Sequence, residues 1–336
     1  MVILVDAMGG DNAPLAVVEG CIDAINQLDG YDILLIGDQQ ELERLLKEKK
    51  FDNPRLRIHH TSETITNEDS PTKAIRSKKD SSMVVGFNLL KGKKGDVFLS
   101  AGNTGALLAG ALLILGRVKG VDRPALAPVL PNKSGLTLLL DAGANTVCKP
   151  INYIQFGIMG SIYMKDVIGI ANPKVGLVNV GSEDTKGNDT IKQAFDLLSK
   201  SAINFTGNVE AHEIVEGKVD VAVCDGFVGN VLLKTYEGVA TFIIKEIKDI
   251  FKKNVLSMFS ALLISSGLKA LKKRTDTSEY GSVPFLGVNG KVMKTHGRSD
   301  AKAIKHSIFK AYNYGKSTII DEIREQFTNM EVEDIE

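Results

Sequence analysis

The sequence contains no tryptophan, seven tyrosines, thirteen phenylalanines and three cysteines, and it carries no net charge: 41 Lys and Arg balance 41 Asp and Glu. Without a basic excess or many stacking aromatics it lacks the footprint of a nucleic-acid binder, so no nucleic-acid partner is expected. Cys21, Cys148 and Cys224 are odd in number, far apart and never in a Cys-x-x-Cys pair. That excludes a disulfide scaffold and points to a reducing, cytoplasmic setting. Among 32 glycines no two are separated by one residue, so the dinucleotide fingerprint Gly-x-Gly-x-x-Gly is missing. Gly315-Lys316-Ser317 fails as a phosphate loop because Lys310 stands where its first glycine belongs. Gly297-Arg298-Ser299-Asp300-Ala301 fails as a nucleophile elbow, ending in alanine and following no strand. His212-Glu213 lacks the second histidine of a zinc helix, and no cluster has metal-ligand spacing. Met1–Asp6 has no basic n-region, which predicts no secretory signal. The longest uncharged apolar stretch, Asn254 to Leu268, spans 15 residues, short of the about 20 that cross a bilayer.

What is present is a recurring unit. A short β-branched apolar run enters a Gly/Asn/Asp turn and then a helical pattern. It occurs at Val2–Val5, Ile33–Ile36, Asp96–Leu99, Leu136–Leu140, Val175–Val178 and Val219–Val223. Such alternation predicts βαβ units, a mostly parallel sheet flanked by helices, and turns gathered along one rim. Pro124–Leu130 and Leu136–Leu140, joined by a polar turn, predict an antiparallel hairpin. A helix is expected over Tyr236–Phe251 and a second from about Met258 to Lys273, together a protruding helical hairpin over 236–274. No Pro/Ser-rich linker divides the 336 residues, so one interwoven α/β domain is expected, with any second lobe woven in.

The rim supplies the chemistry. Gly102-Asn103-Thr104-Gly105 and Gly9-Gly10-Asp11-Asn12 place close-approaching backbone before helix N-termini, a device suited to anions, although glycine there also serves as a plain turn. Asn145, Asn188 after Lys186, and Lys234 after Asn230 join the same candidate phosphate site. Asp6, Asp141 and Asp225 at strand ends fit either function or helix capping. His296, in a polar turn before a helix, is a candidate proton carrier. Cys224 is read as a buried apolar side chain before it is read as a nucleophile. Asn254–Leu268, with Leu256, Phe259, Leu262 and Leu263 between basic clusters, fits a core helix, a dimer interface or contact with an anionic membrane surface.

In order and spacing, several motifs resemble the PlsX family of bacterial phosphate acyltransferases. They are Asp6–Asp11, Ser100–Ala106, Asp141–Asn145, Asn179–Asn188, Gly207–Glu210, Asp225–Lys234 and Leu286–Gly297, so the resemblance covers nearly the whole chain. It departs at Ala211-His212, where the family has Gly and a basic residue, and at Tyr280–Pro284. The resemblance implies transfer of an acyl group from acyl carrier protein to inorganic phosphate. The product passes to a membrane-bound glycerol-3-phosphate acyltransferase in phospholipid synthesis. It further implies a fold similar to phosphotransacetylases and isocitrate/isopropylmalate dehydrogenases, no organic cofactor or obligatory metal, and a homodimer peripherally attached to the inner membrane face. Phosphate is already an anionic nucleophile and a thiolate leaves readily, so positioning and oxyanion stabilisation suffice without a covalent intermediate. On that basis Lys186 and Asn230 are assigned to phosphate or the oxyanion, His296 to proton handling and Asp225 to orientation. Lys73, Arg76, Lys78, Lys79 and the Lys269–Arg274 cluster are candidate docking points for the acidic carrier. The rival readings are a phosphotransacetylase-like enzyme acting on acyl-CoA, a decarboxylating dehydrogenase and a membrane adaptor.

Overall fold

The computed structural model describes residues 1–253, 257, 260, 264–268 and 282–333, with side chains to residue 328. The expected second helix from about 258 to 273 is described only at 260 and 264–268, where 260 and 265–268 are helical; the contacts Leu256, Phe259, Leu262 and Leu263 and the Lys269–Arg274 cluster lie outside the described residues.

The apolar runs become strands because both of their faces are covered. β1 (Val2–Asp6) lies between β2 (Asp32–Gly37) and β4 (Val97–Ser100), all parallel, and β3 (Leu56–His60) adds to β2. β12 (Val292–Lys294) runs parallel beside β4, then β11 (Val283–Leu286) and β5 (Ala125–Leu126) complete seven strands antiparallel to their neighbours. The remaining parallel strands form a second sheet: β7 (Leu136–Leu140), β10 (Val221–Val223), β8 (Val175–Val178) and β9 (Phe205–Val209), edged by the antiparallel β6 (Val129–Pro131).

The expected hairpin therefore splits. Leu136–Leu140 pairs with Val129–Pro131 as expected, but Ala125 and Leu126 pair with β11 in the other sheet. The chain crosses between sheets at Ala127-Pro128, held by Ala127 N–H to the Pro284 carbonyl (3.1 Å) and Leu139 N–H to the Pro128 carbonyl (2.9 Å). The first sheet also takes strands from both halves of the sequence, returning at residue 283.

Helices close over both sheets. α1 (Leu15–Gln27) packs on α10 (Ala301–Lys316) through Gly20, where a Cβ would sit 2.6 Å from Ile304. On the opposite face α3 (Pro71–Ser77), α4 (Ser82–Lys91) and α5 (Thr104–Gly110) cover a separate apolar cluster containing Phe87 and Phe98, whose rings meet edge to face at 5.1 Å. α2 (Gln39–Glu48) lies beside α1. α6 (Pro150–Tyr163), α7 (Asp189–Ser199) and α11 (Ile319–Glu333) flank the second sheet, with α8 (Ala211–Glu216) following β9.

One helix starts earlier than its pattern predicts. α9 runs from Gly226 to Lys252, 27 residues, absorbing a segment that reads as a glycine turn. Its two early glycines are there for space: a Cβ at Gly229 would sit 1.9 Å from the Asp141 carbonyl oxygen, and one at Gly226 would sit 2.7 Å from Asp141 Oδ2. By length and composition α9 is long and apolar enough to cross a membrane, yet its first turns are packed into the body at Gly226, Gly229 and Leu233.

Candidate active site

The C-terminal ends of the two sheets face a shared cleft of about 840 Å³. From the first sheet come Asp11 after β1, Gly102 and Thr104 after β4, and the Lys294–Asp300 turn after β12. From the second come Ala142 and Gly143 after β7 and the inner face of α9, including Asn230, Leu233 and Lys234; the inter-sheet crossing contributes Leu126 and Pro128–Pro131. The lining combines hydroxyl, amide and charged groups with the apolar side chains of Leu126, Pro128, Leu130 and Leu233.

A buried carboxylate organises each rim. Asp6 accepts Ser100 Oγ–H at 2.7 Å and the Met8 N–H at 3.2 Å. Asp141 accepts the N–H groups of Leu126 (2.8 Å), Ala144 (3.0 Å) and Asn145 (2.6 Å), so it pins the inter-sheet crossing to its own turn. Burial pushes both carboxyls up, opposed by these donors. The β1 and β12 turns are latched by Asp11 N–H to the Gly297 carbonyl (2.8 Å) and by Asn12 Nδ2 to the Arg298 and Ser299 carbonyls (both 3.2 Å).

Several predicted residues make contacts that hold the scaffold. Asn103 caps α5, its Oδ1 accepting Ala106 N–H at 3.0 Å, while its Nδ2 donates to the Thr66 carbonyl at 3.2 Å. Thr104 and Gly105 follow it on the exposed first turn, Thr104 on the cleft and Gly105 beside Pro71. Gly9 and Gly10 fill tight corners: a Cβ at Gly9 would sit 2.5 Å from Asp6 Oδ2, and Gly10 has a φ of 110°. Asn145 Nδ2 is spent on the Pro124 carbonyl (2.7 Å) and Asp141 (3.0 Å). Asp225, read as an orienting acid, caps α9 by accepting the Phe227 and Val228 N–H groups, both at 2.9 Å.

Lys186 and Asn188 stand apart from the residues lining the cleft. They lie on the β8–α7 loop, where Lys186 is 3.7 Å from Glu183 and Asn188 caps α7 by accepting Ile191 N–H at 3.0 Å. His212 is exposed, 3.9 Å from Glu210. Cys224 is buried with its thiol against the Asp141 carbonyl (3.4 Å), and desolvation pushes it well up, which makes it an inert packing residue. Burial likewise pushes the Cys148 thiol up to about 12.

The cleft does bring together Thr104, Asn230, Lys234 and His296. Lys234 pairs with Glu237 one turn on, at 2.8 Å. His296 Nδ1 accepts the Arg298 N–H at 3.2 Å, so in neutral imidazole the proton sits on Nε2. Burial, then the Lys234 charge, hold its pKa below the usual histidine range. Neutral His296 is thus arranged as a hydrogen-bond donor. Sequence reasoning missed Lys294, which closes β12 and lines the cleft while only 8% exposed. A lone lysine ending the apolar run Val292-Met293 was the available signal. Among the described residues, no three His, Cys, Asp or Glu are grouped to hold a metal ion.

Residues 1–322 match the model of a family described as fatty acid synthesis protein. The chain is 59% identical over 336 residues to a phosphate acyltransferase of Acetivibrio thermocellus, covering all of this chain and 99% of that one. A phosphate acyltransferase of Alkaliphilus oremlandii is 50% identical over 330 residues, with 98% of each covered. Among solved structures, a phosphotransacetylase from Streptococcus pyogenes superposes with a TM-score of 0.60, and the EutD phosphotransacetylase from Staphylococcus aureus with 0.59. Each is 14% identical with 94% of both chains covered, a likeness of fold. Identity of 59% across the full length settles descent where the shared fold alone does not: the chain belongs to the phosphate acyltransferase family and is an enzyme of that class.

Proposed function

We propose that the cleft transfers a fatty acyl group from the thioester of acyl carrier protein to inorganic phosphate. A phosphate oxygen attacks the thioester carbonyl carbon, a C–O bond forms, the C–S bond breaks, and the carrier thiolate leaves and takes a proton. The observation that carries this reading is a single cleft with two chemistries. Thr104, Asn230, Lys234 and His296 offer donors and positive charge, and the same lining includes the apolar Leu126, Pro128–Leu130 and Leu233, suited to an acyl chain. Neutral His296, protonated on Nε2, suits a donor to the developing oxyanion or the departing sulfur. The inert thiols of Cys224 and Cys148 favour direct attack over an acyl-enzyme. Lys186, outside the cleft lining, is better suited to meeting the carrier than to touching phosphate.

Lys73 and Arg76 are exposed on α3, which packs against α5 at the cleft rim, and fit the acidic carrier. Lys78 is bound to Asp69 at 2.6 Å and Lys79 donates back to the Ile75 carbonyl at 3.4 Å, so they are weaker docking points. The setting we infer is cytoplasmic. A homodimer sits at the inner membrane face and delivers acyl phosphate to a membrane-bound glycerol-3-phosphate acyltransferase for phospholipid synthesis. The exposed apolar side of α9 supports an assembled or surface-bound state.

The test is consumption of acyl-carrier thioester with and without inorganic phosphate, trapping acyl phosphate with hydroxylamine. Thiol release and hydroxamate in equal amounts, only with phosphate, is the expected result. Thioester loss without phosphate would make the enzyme a hydrolase, and preference for acyl-CoA would move it to the phosphotransacetylase class.

A further inference from the structure

The least explained charged group in the cleft is Lys294. Its ammonium has three N–H donors. One goes to the Ala101 carbonyl at 3.2 Å and one to the Thr295 carbonyl. Both acceptors are neutral, and among the described residues Lys294 makes no ion pair. A buried cation without a counter-charge is costly, and folds ordinarily pair or discard it.

The surrounding acids offset its charge only in part. Asp6 on β1 is the first acid that favours its charge, but that carboxylate is engaged by Ser100 and Ser82 and by the Met8 and Gly9 amides. Asp11, on the loop after β1, favours the charge more weakly and faces Arg298 at 3.9 Å. Lys234 on α9 opposes the charge, and Lys294 in turn opposes protonation of His296 on its own loop. The ammonium is therefore held on the cleft wall, between the Ala101–Gly102 and Thr295 turns, with two of its donors fixed and its charge met only in part by Asp6 and Asp11, neither of which pairs with it directly.

We propose that Lys294 is the buried anchor for the phosphate substrate, its third N–H and its incompletely compensated charge directed to the anion. The phosphate acyltransferase reading enters only through the identity of that anion. Burial also lowers the Lys294 pKa to about 8, so its ammonium is charged at pH 7 and that charge is lost progressively above pH 8.

The test is calorimetric titration of the full chain with inorganic phosphate from pH 7 to 9.5, alongside KM for phosphate in the thioester assay. Wild-type affinity is expected to fall by roughly 30-fold across that range as the ammonium deprotonates. Lys294→Arg keeps its charge and should lose that limb, while phosphate's own ionisation affects both proteins alike. Lys294→Met should weaken phosphate binding by about 10- to 100-fold at pH 7. A mere clamp between two carbonyls would leave Lys294→Arg with the wild-type pH curve. That result, or a folded Lys294→Met binding phosphate within threefold of wild type, overturns the proposal. If Lys294→Met does not fold, the Lys294→Arg comparison decides alone. The calorimetric arm needs no acyl donor, so an inert acyl-carrier thioester would sink the carrier reading and leave the anchor standing.

Discussion

Gly229 shows how little freedom the site leaves at single positions. It sits where α9 crosses the end of β7, and a methyl group there would meet the Asp141 carbonyl oxygen at 1.9 Å and Cys224 Sγ at 2.9 Å. Backbone cannot yield as a flexible side chain does, so Gly229→Ala forces the helix off the strand. We expect a loss of about 1–3 kcal/mol, read as a lowered urea midpoint. Its neighbour Cys224 tests the opposite case. The thiol is buried and held well above its ordinary pKa by desolvation and by the nearby Asp141 and Asp225 carboxylates, so Cys224→Ala should keep at least half of wild-type kcat. A folded but inactive Cys224→Ala, or an acyl group trapped on the wild-type cysteine, would restore covalent catalysis.

Asp225 and α9 carry the corresponding argument for elements. The helix presents Gly226, Asn230, Leu233, Lys234 and Glu237 to the cleft, the spacing of one helical face, so its start position aims every functional group that follows. Asp225 fixes that start by accepting two amides. Because asparagine caps as well as aspartate, Asp225→Asn should keep activity within about twofold, whereas Asp225→Ala should cost about 1 kcal/mol of stability. A large drop in kcat for a stable Asp225→Asn would show that the charge itself is used. The same helix marks the limit of what the sequence discloses. Strand runs such as Val2–Val5 and Leu136–Leu140 are legible because parallel strands buried on both faces read as continuous apolar segments. Division into two sheets is not, because Pro124–Leu130 reads as one strand and its split is decided by distant partners, β11 and β7. The α9 start is hidden because Gly226 and Gly229, chosen for close packing, look like turn residues. In the site, the motifs announce which turns gather at the rim but not where side chains point. Asn103 and Asn188 therefore read as ligands and serve as caps, while Lys294 passes for an ordinary strand-end lysine.

At the scale of the molecule, equal numbers of opposite charges conceal an uneven surface. Beyond its anchored first turns, α9 exposes Val239 (50%), Phe242 (61%), Ile243 (48%) and Ile250 (62%), spaced three, four and seven residues apart along one stripe. Scattered exposed apolar residues need no explanation, but a continuous stripe on a 27-residue helix is an expensive surface to leave in water. The proposed homodimer covers it if two α9 helices pack stripe to stripe, and none of these four residues lines the cleft. Wild-type protein is then expected to sediment as a dimer. Phe242→Glu combined with Ile243→Glu places charge at the centre of the stripe and should shift it to monomer, with the circular dichroism of the α/β body retained. The same pair separates assembly from lipid attachment, through flotation with anionic vesicles. If the double variant stays dimeric but no longer floats with lipid, the stripe faces the membrane and the dimer forms elsewhere. If it becomes monomeric and still floats, the stripe is the dimer seam and the membrane is met by another part of the chain.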